Sequence, residues 1–360
     1  MSGDVQIKQF ETSDEDALLS FLRLAYADEP IKSDPTFWRW HFLENPYASP
    51  DDVPLWIARC GERVVGQMAT IPVQLKVGED ERRALWIIDF ILLPEYRGRK
   101  LGKRLMQVAR ETYCKTMIAL GYNEQSEAVL RSHKWVSLGS INRYHKLLFP
   151  GNAAREISRL GPVRHLANLV YAPLRPRLSK LSPVKSLALR EVKRFDSSFD
   201  DLWKDASAQW PCAVVRNSRF LEWQFMKQPG KKYDVLACYE QERLLGYVVL
   251  FFRKAEGGGV SHKAAISDVC YSSRNSQEVI DSLLKGALRL AMERRAGSLV
   301  TDVLDPLVEQ SLRKLGFLRI KASPPFMAGT DEHQDLIYER DNWFLTRADS
   351  DVSIFEQPNL

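Results

Sequence analysis

The sequence predicts an α/β chain built as two tandem copies of one unit, and three observations carry this. Apolar strand-like runs alternate with segments of helical periodicity along nearly the whole chain. A signature occurs twice: FWRWHFLENP at residues 37–46 and FLEWQFMKQP at 220–229 set Phe37, Trp40, Phe42 and Pro46 against Phe220, Trp223, Phe225 and Pro229 at one offset. Three further matches follow in the same order: Glu62–Gly66 with Glu242–Gly246, Ile88-Asp89-Phe90 with Ser267-Asp268-Val269, and Asn123, Leu130, Arg131, Trp135 with Asp305, Leu312, Arg313, Phe317. A repeat of this length marks a duplicated structural unit.

In the first copy, residues 14–26 have helical periodicity, and Ser33-Asp34-Pro35 starts a second helix with a cap and a first-turn proline. Strands are expected at 55–60 and 64–77 around the Gly61-Glu62 turn, and Gly78-Glu79 turns into a strand ending at Leu93. Leu101, Leu105, Val108 and Thr112 mark one face of the next helix. The Phe-Trp-Phe-Pro signature reads as core under a helix rather than a ligand box.

The stretch WIIDFILLPEYRGRKLGKRLM, residues 86–106, carries the functional signal. An apolar run ends at Pro94, a loop follows with Arg97, Gly98, Arg99, Lys100 and Gly102, and a helix begins. That order aims the unpaired amides of a helix N-terminus into a basic loop, ready for a phosphate or pyrophosphate. Gly102 is expected at an exposed helix start. The segment resembles the acyl-CoA loop of the GNAT superfamily of N-acetyltransferases, Arg/Gln-x-x-Gly-x-Gly/Ala: Arg97, Lys100 and Gly102 fall on its marked positions, with Lys100 where the family prefers Gly.

The resemblance implies, in each copy, a mixed, mostly antiparallel sheet flanked by helices. Residues 1–150 are then the catalytic, acetyl-CoA-binding domain, 151–189 a basic linker, 190–345 a degenerate copy and 346–360 a tail. It also implies that the strand Asp89–Leu93 holds the pantetheine through its backbone, at Phe90, Ile91 and Leu92. The loop Arg97, Gly98, Arg99, Lys100, Leu101, Gly102 and Lys103 takes the pyrophosphate, and Asn123 contacts the cofactor or a water. Asp89, the one acid in an apolar strand, is the candidate base, although Asp268 at the matching place also admits a structural role. The family's tyrosine on the second helix is replaced by Leu130. Tyr122, His133, Tyr144 and His145 lie nearby in sequence, and Tyr144 is the candidate acid.

The second copy has YSSRNSQEVIDSLL at 271–284 in place of the loop. Its glycines are gone, and Glu278 and Asp281 are expected to oppose a pyrophosphate there. Acetyl-CoA is therefore expected once per chain, as co-substrate, with no metal. The expected reaction is acyl transfer to a primary amine of a small metabolite, such as an amino sugar or its nucleotide-linked form, by analogy with GNAT proteins associated with polysaccharide assembly. The alternatives are a tandem aminoacyl transferase, against which the CoA-type loop argues, and a non-catalytic acyl-CoA-binding scaffold.

Composition narrows the rest. The chain has 360 residues, a formal charge of +5 and five scattered cysteines without Cys-x-x-Cys spacing. No run approaches the roughly 20 apolar residues of a bilayer span, and the N-terminus lacks signal-peptide character, so a cytoplasmic location is expected. Residues 151–190 hold eight Arg or Lys against one acid. Without interleaved aromatics this is not a nucleic-acid surface. It reads as a solvated linker helix, with peripheral contact to anionic lipid or an acidic partner as the alternative.

Overall fold

The computed structural model describes residues 4–49, 52–113, 115–153, 161–176, 180–253, 263–321 and 324–349. Cys114, Arg155, Arg159, Arg177 and the tail beyond Asp349 lie outside the described residues. The first stretch runs β1 (Val5–Gln9), α1 (Glu15–Ala25), α2 (Pro35–Phe42), β2 (Leu55–Cys60), β3 (Arg63–Val77), β4 (Asp80–Leu92), α3 (Leu101–Thr112), β5 (Met117–Leu120), α4 (Glu124–Ser132), β6 (Val136–Ser140) and β7 (Asn142–Leu147). Its starts and turns follow the local chemistry. Asp34 caps α2 by accepting from the Phe37 amide at 2.8 Å, and Gly61 and Gly78 take the positive φ of the two hairpin turns.

Two short helices, α5 (Pro150–Ala153) and α6 (Gly161–Val170), lead into β8 (Leu187–Val192), α7 (Ser197–Ser207), β9 (Cys212–Val214) and α8 (Ser218–Leu221), which continues as a π-helical turn at Glu222–Met226. Then come β10 (Tyr233–Glu240), β11 (Arg243–Phe252), β12 (Lys263–Tyr271), α9 (Ser276–Glu293), β13 (Ser298–Leu304), α10 (Pro306–Lys314), β14 (Leu318–Ile320), β15 (Pro325–Gly329), α11 (Gln334–Ile337) and β16 (Trp343–Thr346). The order from β10 to α10 repeats that from β2 to α4.

The strands form one sheet along the path β6-β15-β5-β4-β3-β9-β16-β13-β12-β11-β10-β8, with β1 beside β2, β2 beside β3, and β7 between β13 and β14. It is mostly antiparallel; the parallel pairs are β4 with β5, β12 with β13, and β9 with β16. Chain order and sheet order part at the ends of the two halves. β7 pairs its residues 142–147 with β13 and β14 of the second half, while β15 inserts between β5 and β6 of the first. Boundaries drawn along the chain near 150 and 190 therefore do not coincide with the two halves of the sheet. Each half closes with a strand from the other.

The repeated signature lies where the halves meet. The Trp40 and Trp223 rings stack at 5.0 Å, Trp40 Nε1 donates to the Trp223 carbonyl at 3.1 Å, and Trp223 Nε1 donates back to the Trp40 carbonyl at 3.0 Å. Equivalent residues touching each other reciprocally is the mark of a two-fold relation. Both are buried in a core shared by the halves, with Ile71, Leu75, Phe220, Phe326 and Leu345, as their reading as core requires. This junction is as apolar as a domain interior, so the halves are one packed body.

The exchanged strand has little room to vary. A Cβ placed on Gly329 of β15 would lie 2.5 Å from the Trp135 ring, and that ring is buried. Gly329→Ala should destabilise the protein by about 1–3 kcal/mol, measured by denaturant titration. Because β15 completes the first half and belongs by sequence to the second, the loss should come as one shifted transition. Separate unfolding of the two halves would contradict this coupling.

Candidate active site

A cleft opens in the first half because β4 carries one residue more than its neighbour. Ala69 pairs with Asp89 and Thr70 with Ile87, leaving Ile88 as a bulge. The parallel ladder from β4 to β5 stops at the same place, with Ile87 opposite Ala119. A bulge bends and twists its strand, so beyond Ile87 the two strands diverge. The space between them, about 330 Å³, is lined by Phe90, Ile91 and Leu92 on one side and Tyr122, Asn123 and Ser126 on the other. With β5 gone from that edge, the backbone of these β4 residues faces the cleft.

At the cleft's outer end lies the basic loop. Gly98 has φ +76°, and a Cβ there would meet nothing within 4 Å. Lys100 is left-handed, with φ 60° and ψ 12°, and no side chain caps α3 behind it. The left-handed region explains the expectation of Gly at this position; Lys adopts it at a cost of about 1–2 kcal/mol. Helices α2, α4 and α10, by contrast, are capped by Asp34, Asn123 and Asp305. The first amides of α3 thus face a loop whose Arg97, Arg99 and Lys100 are exposed, as is Lys103 in the first turn, while Leu101 is buried. This arrangement attracts an anion. Gly102 differs from expectation: it is buried, and a Cβ there would sit 3.3 Å from Phe90 and 3.4 Å from Val129. It is where α3 packs against β4 and α4, not a surface position.

Asp89 lines the cleft and is 6% exposed. Its Oδ1 accepts from the Tyr26 hydroxyl and from Lys32 Nζ, each at 2.7 Å; Oδ2 accepts nothing among the described residues. Sequence reasoning missed Lys32, although a signal existed: a base stands just before the repeated signature in both halves, Lys32 and Arg216. Asn123 caps α4 by accepting from the Ser126 amide at 2.9 Å and also lines the cleft.

Tyr144, the expected acid, lies elsewhere. It sits on β7, which crosses into the second half, and its hydroxyl donates to Glu309 at 2.7 Å and accepts from Arg313. Burial and the Glu309 carboxylate push its pKa up to about 12. His145 follows it on β7, and His133 turns its Nδ1 toward the Val129 carbonyl. Of the four residues considered, Tyr122 is the one lining the cleft. Burial raises its pKa, against a hydrogen bond with Ser137.

The second half has the same bulge, without the matching cleft beside it among the described residues. Val249 pairs with Asp268 and Leu250 with Ile266, so Ser267 is the extra residue, and the β12–β13 ladder ends at Ile266–Thr301. Here the gap is filled. Trp210 stacks on Phe344 at 3.8 Å, its Nε1 reaches Asp305 at 3.0 Å, and β16 pairs with the end of β13. The loop is filled as well. Asp205 of α7 accepts from the Ser273 amide at 3.0 Å and from the hydroxyls of Ser272 and Ser273. Burial pushes the Asp205 pKa up, but these bonds and Arg243 hold it below the ordinary carboxylate value. The carboxylate that occupies the loop is Asp205; Glu278 lies in the first turn of α9 as expected, while Asp281 accepts from Gln277 and Ser311. Asn275 keeps the left-handed conformation of Lys100, with φ 51°. The backbone form of the loop is thus shared by the two halves, while its surroundings differ.

Residues 6–128 match the family model described as an acetyltransferase (GNAT) domain. In fold, the chain is similar to a probable N-acyltransferase of unknown function from Enterococcus faecalis (TM-score 0.62, 13% identity, 93% of this chain and 74% of that one). It is also similar to a GCN5-related N-acetyltransferase from Anabaena variabilis (0.61, 14%, 90% and 72%). A third similar structure is the N-myristoyltransferase of Saccharomyces cerevisiae with bound myristoyl-CoA (0.62, 12%, 91% and 83%). At these identities the likeness is one of fold, and the fold is GNAT-like. None of the curated proteins matches this sequence.

One further group near the site answers to pH. His41 of α2 is fully buried against the rings of Trp40 and Phe42. Burial lowers its pKa from 6.5 to about 3, with Asp89 pulling upward and Lys32 downward. The unfolded chain protonates this imidazole near 6.5 and the folded one does not, so the stability it contributes is complete above that value and declines as the pH falls toward 3. Between pH 7 and pH 5 the loss should be about 2 kcal/mol. Denaturant titrations at the two pH values should show this in the native chain and a flatter response in His41→Phe; equal responses would sink it.

Proposed function

We propose that the protein is a two-copy, acyl-CoA-dependent N-acyltransferase that acetylates a primary amine of a small metabolite by direct attack in a ternary complex. The observation that carries this reading is the open cleft running from the Ile88 bulge to an uncapped, basic helix start. It has the right residues for acetyl-CoA: backbone of Phe90, Ile91 and Leu92 for the pantetheine arm, and Arg97, Gly98, Arg99, Lys100 and Lys103 with the first α3 amides for the pyrophosphate. Acetyl-CoA, the acyl donor, supplies the activated thioester. An amino sugar or its nucleotide-linked form is the acceptor class we assign, by resemblance to GNAT proteins of polysaccharide assembly.

In this reading Lys32 and Tyr26 hold Asp89 through one oxygen and leave the other to take a proton from the incoming ammonium. In the same reading Tyr122, which lines the cleft, gives the proton to the departing thiolate. The second half supplies β15 to the first and no donor site of its own.

A second reading of Asp89 has its own support. Asp268 repeats the arrangement without a cleft: Arg216 Nε donates to it at 3.2 Å and the Tyr247 hydroxyl at 2.7 Å. On that basis the aspartate's work is to tie the segment before α2 to the bulged strand. Kinetics separate the two. As base, Asp89→Asn should lower kcat by roughly 10² to 10⁴, leave acetyl-CoA affinity nearly intact and remove the acidic limb of the pH–rate profile. Near-normal turnover with lowered stability, matched by Asp268→Asn, would assign both residues to the structure.

The donor site is tested by binding. Calorimetric titration should give one acetyl-CoA per chain, and Arg97→Glu should weaken it at least about tenfold. Two molecules per chain, or unchanged affinity in the variant, would remove the basis of the reading. Arg97 serves better than Gly102 here, because a side chain at Gly102 would also disturb Phe90 and Val129.

A further inference from the structure

Helix α6 turns Asn168 inward, while His165 is exposed beside its outward face. Asn168 is buried, accepting from the Gly151 amide at 2.8 Å and donating to Asn152 at 3.3 Å. Arg175, just beyond the helix, donates to the Leu148 and Asn168 carbonyls and lies over the Phe149 ring. The outward side is apolar: Val163, Leu166, Leu169, Val170 and Leu174 are 52%, 60%, 70%, 71% and 71% exposed. At 100° per residue the first four fall within one face about 120° wide. Elsewhere large exposed apolar side chains are scattered; here half of those among the described residues lie within twelve positions. A solvated linker helix would show the reverse pattern.

We propose that this face docks on an anionic lipid surface, lying in the interface rather than crossing it. Length rules out crossing, since no helix among the described residues is long and apolar enough. Charge selects the occupant. The sequence that contains the helix, residues 151–190, carries a net +7; of its described bases Lys180 and Lys185 are exposed, while Arg190 pairs with Glu242. A second copy of the chain would bring the same charge against itself, whereas anionic headgroups neutralise it while the Leu and Val side chains enter the acyl boundary. The inference is independent of the reaction proposed above.

The test is sedimentation of the full chain with vesicles of phosphatidylcholine alone or mixed with phosphatidylglycerol. Binding should require the anionic lipid and weaken as salt is raised. The triple substitution Leu166→Ser, Leu169→Ser, Val170→Ser should weaken it at least about tenfold while leaving the unfolding transition unchanged, since these side chains bury little in the protein. Lys180→Glu with Lys185→Glu, which leaves the apolar face intact, should also reduce binding. No binding to anionic vesicles at low salt, or binding indifferent to both sets of substitutions, overturns the proposal. So does a dimer in analytical ultracentrifugation that the triple substitution dissolves.

Discussion

Where β4 carries Ile88 opposite no residue of β3, its ladder to β5 ends and the two strands open into a cleft. The features of the candidate site are arranged around that opening. The backbone of Phe90–Leu92 faces the gap because β5 has turned away, and Asp89 stands at its inner end, held by Lys32 and Tyr26. The uncapped start of α3 closes the outer end. A bulge specifies this arrangement through backbone geometry, so side chains along the strand are free to differ while the opening remains.

The second half makes the same opening and then fills it. Ser267 bulges as Ile88 does, yet Trp210 and Phe344 occupy the gap and Asp205 occupies the loop. Aromatic stacking fills the one place, and a carboxylate the other. Both satisfy groups that would otherwise be left exposed or unpaired. This half is a self-occupied version of the first, and its bulk serves the shared core in which Trp40 and Trp223 exchange hydrogen bonds.

Local signals in the sequence were legible: the cap at Asp34, the turns at Gly61 and Gly78, the helix face of Leu101 and Leu105, and the matching places of Asp89 and Asp268 on their strands. These depend on spacing within one element or on the repeat. The exchange of β7 and β15 was not legible, because either strand could pair with its own half and the pattern of apolar residues is the same in both cases. Tyr144 was misplaced for this reason: neighbours of α4 in sequence, it and His145 travel with β7 into the other half. Asp205 was invisible too, as an acid on a helix carries no mark of a loop 67 residues away.

The crossed strands also bear on how the chain is made. β5 must wait for β15, roughly 200 residues farther along, and at about 5–20 residues per second a ribosome needs on the order of 10–40 seconds to deliver it. Until then β5 of the nascent first half presents an open edge, the kind that invites pairing with other chains. Maturation of the cleft is thus tied to completion of the other half. A message broken before Pro325 would yield a polypeptide with every residue of the candidate site and no closed sheet to hold them.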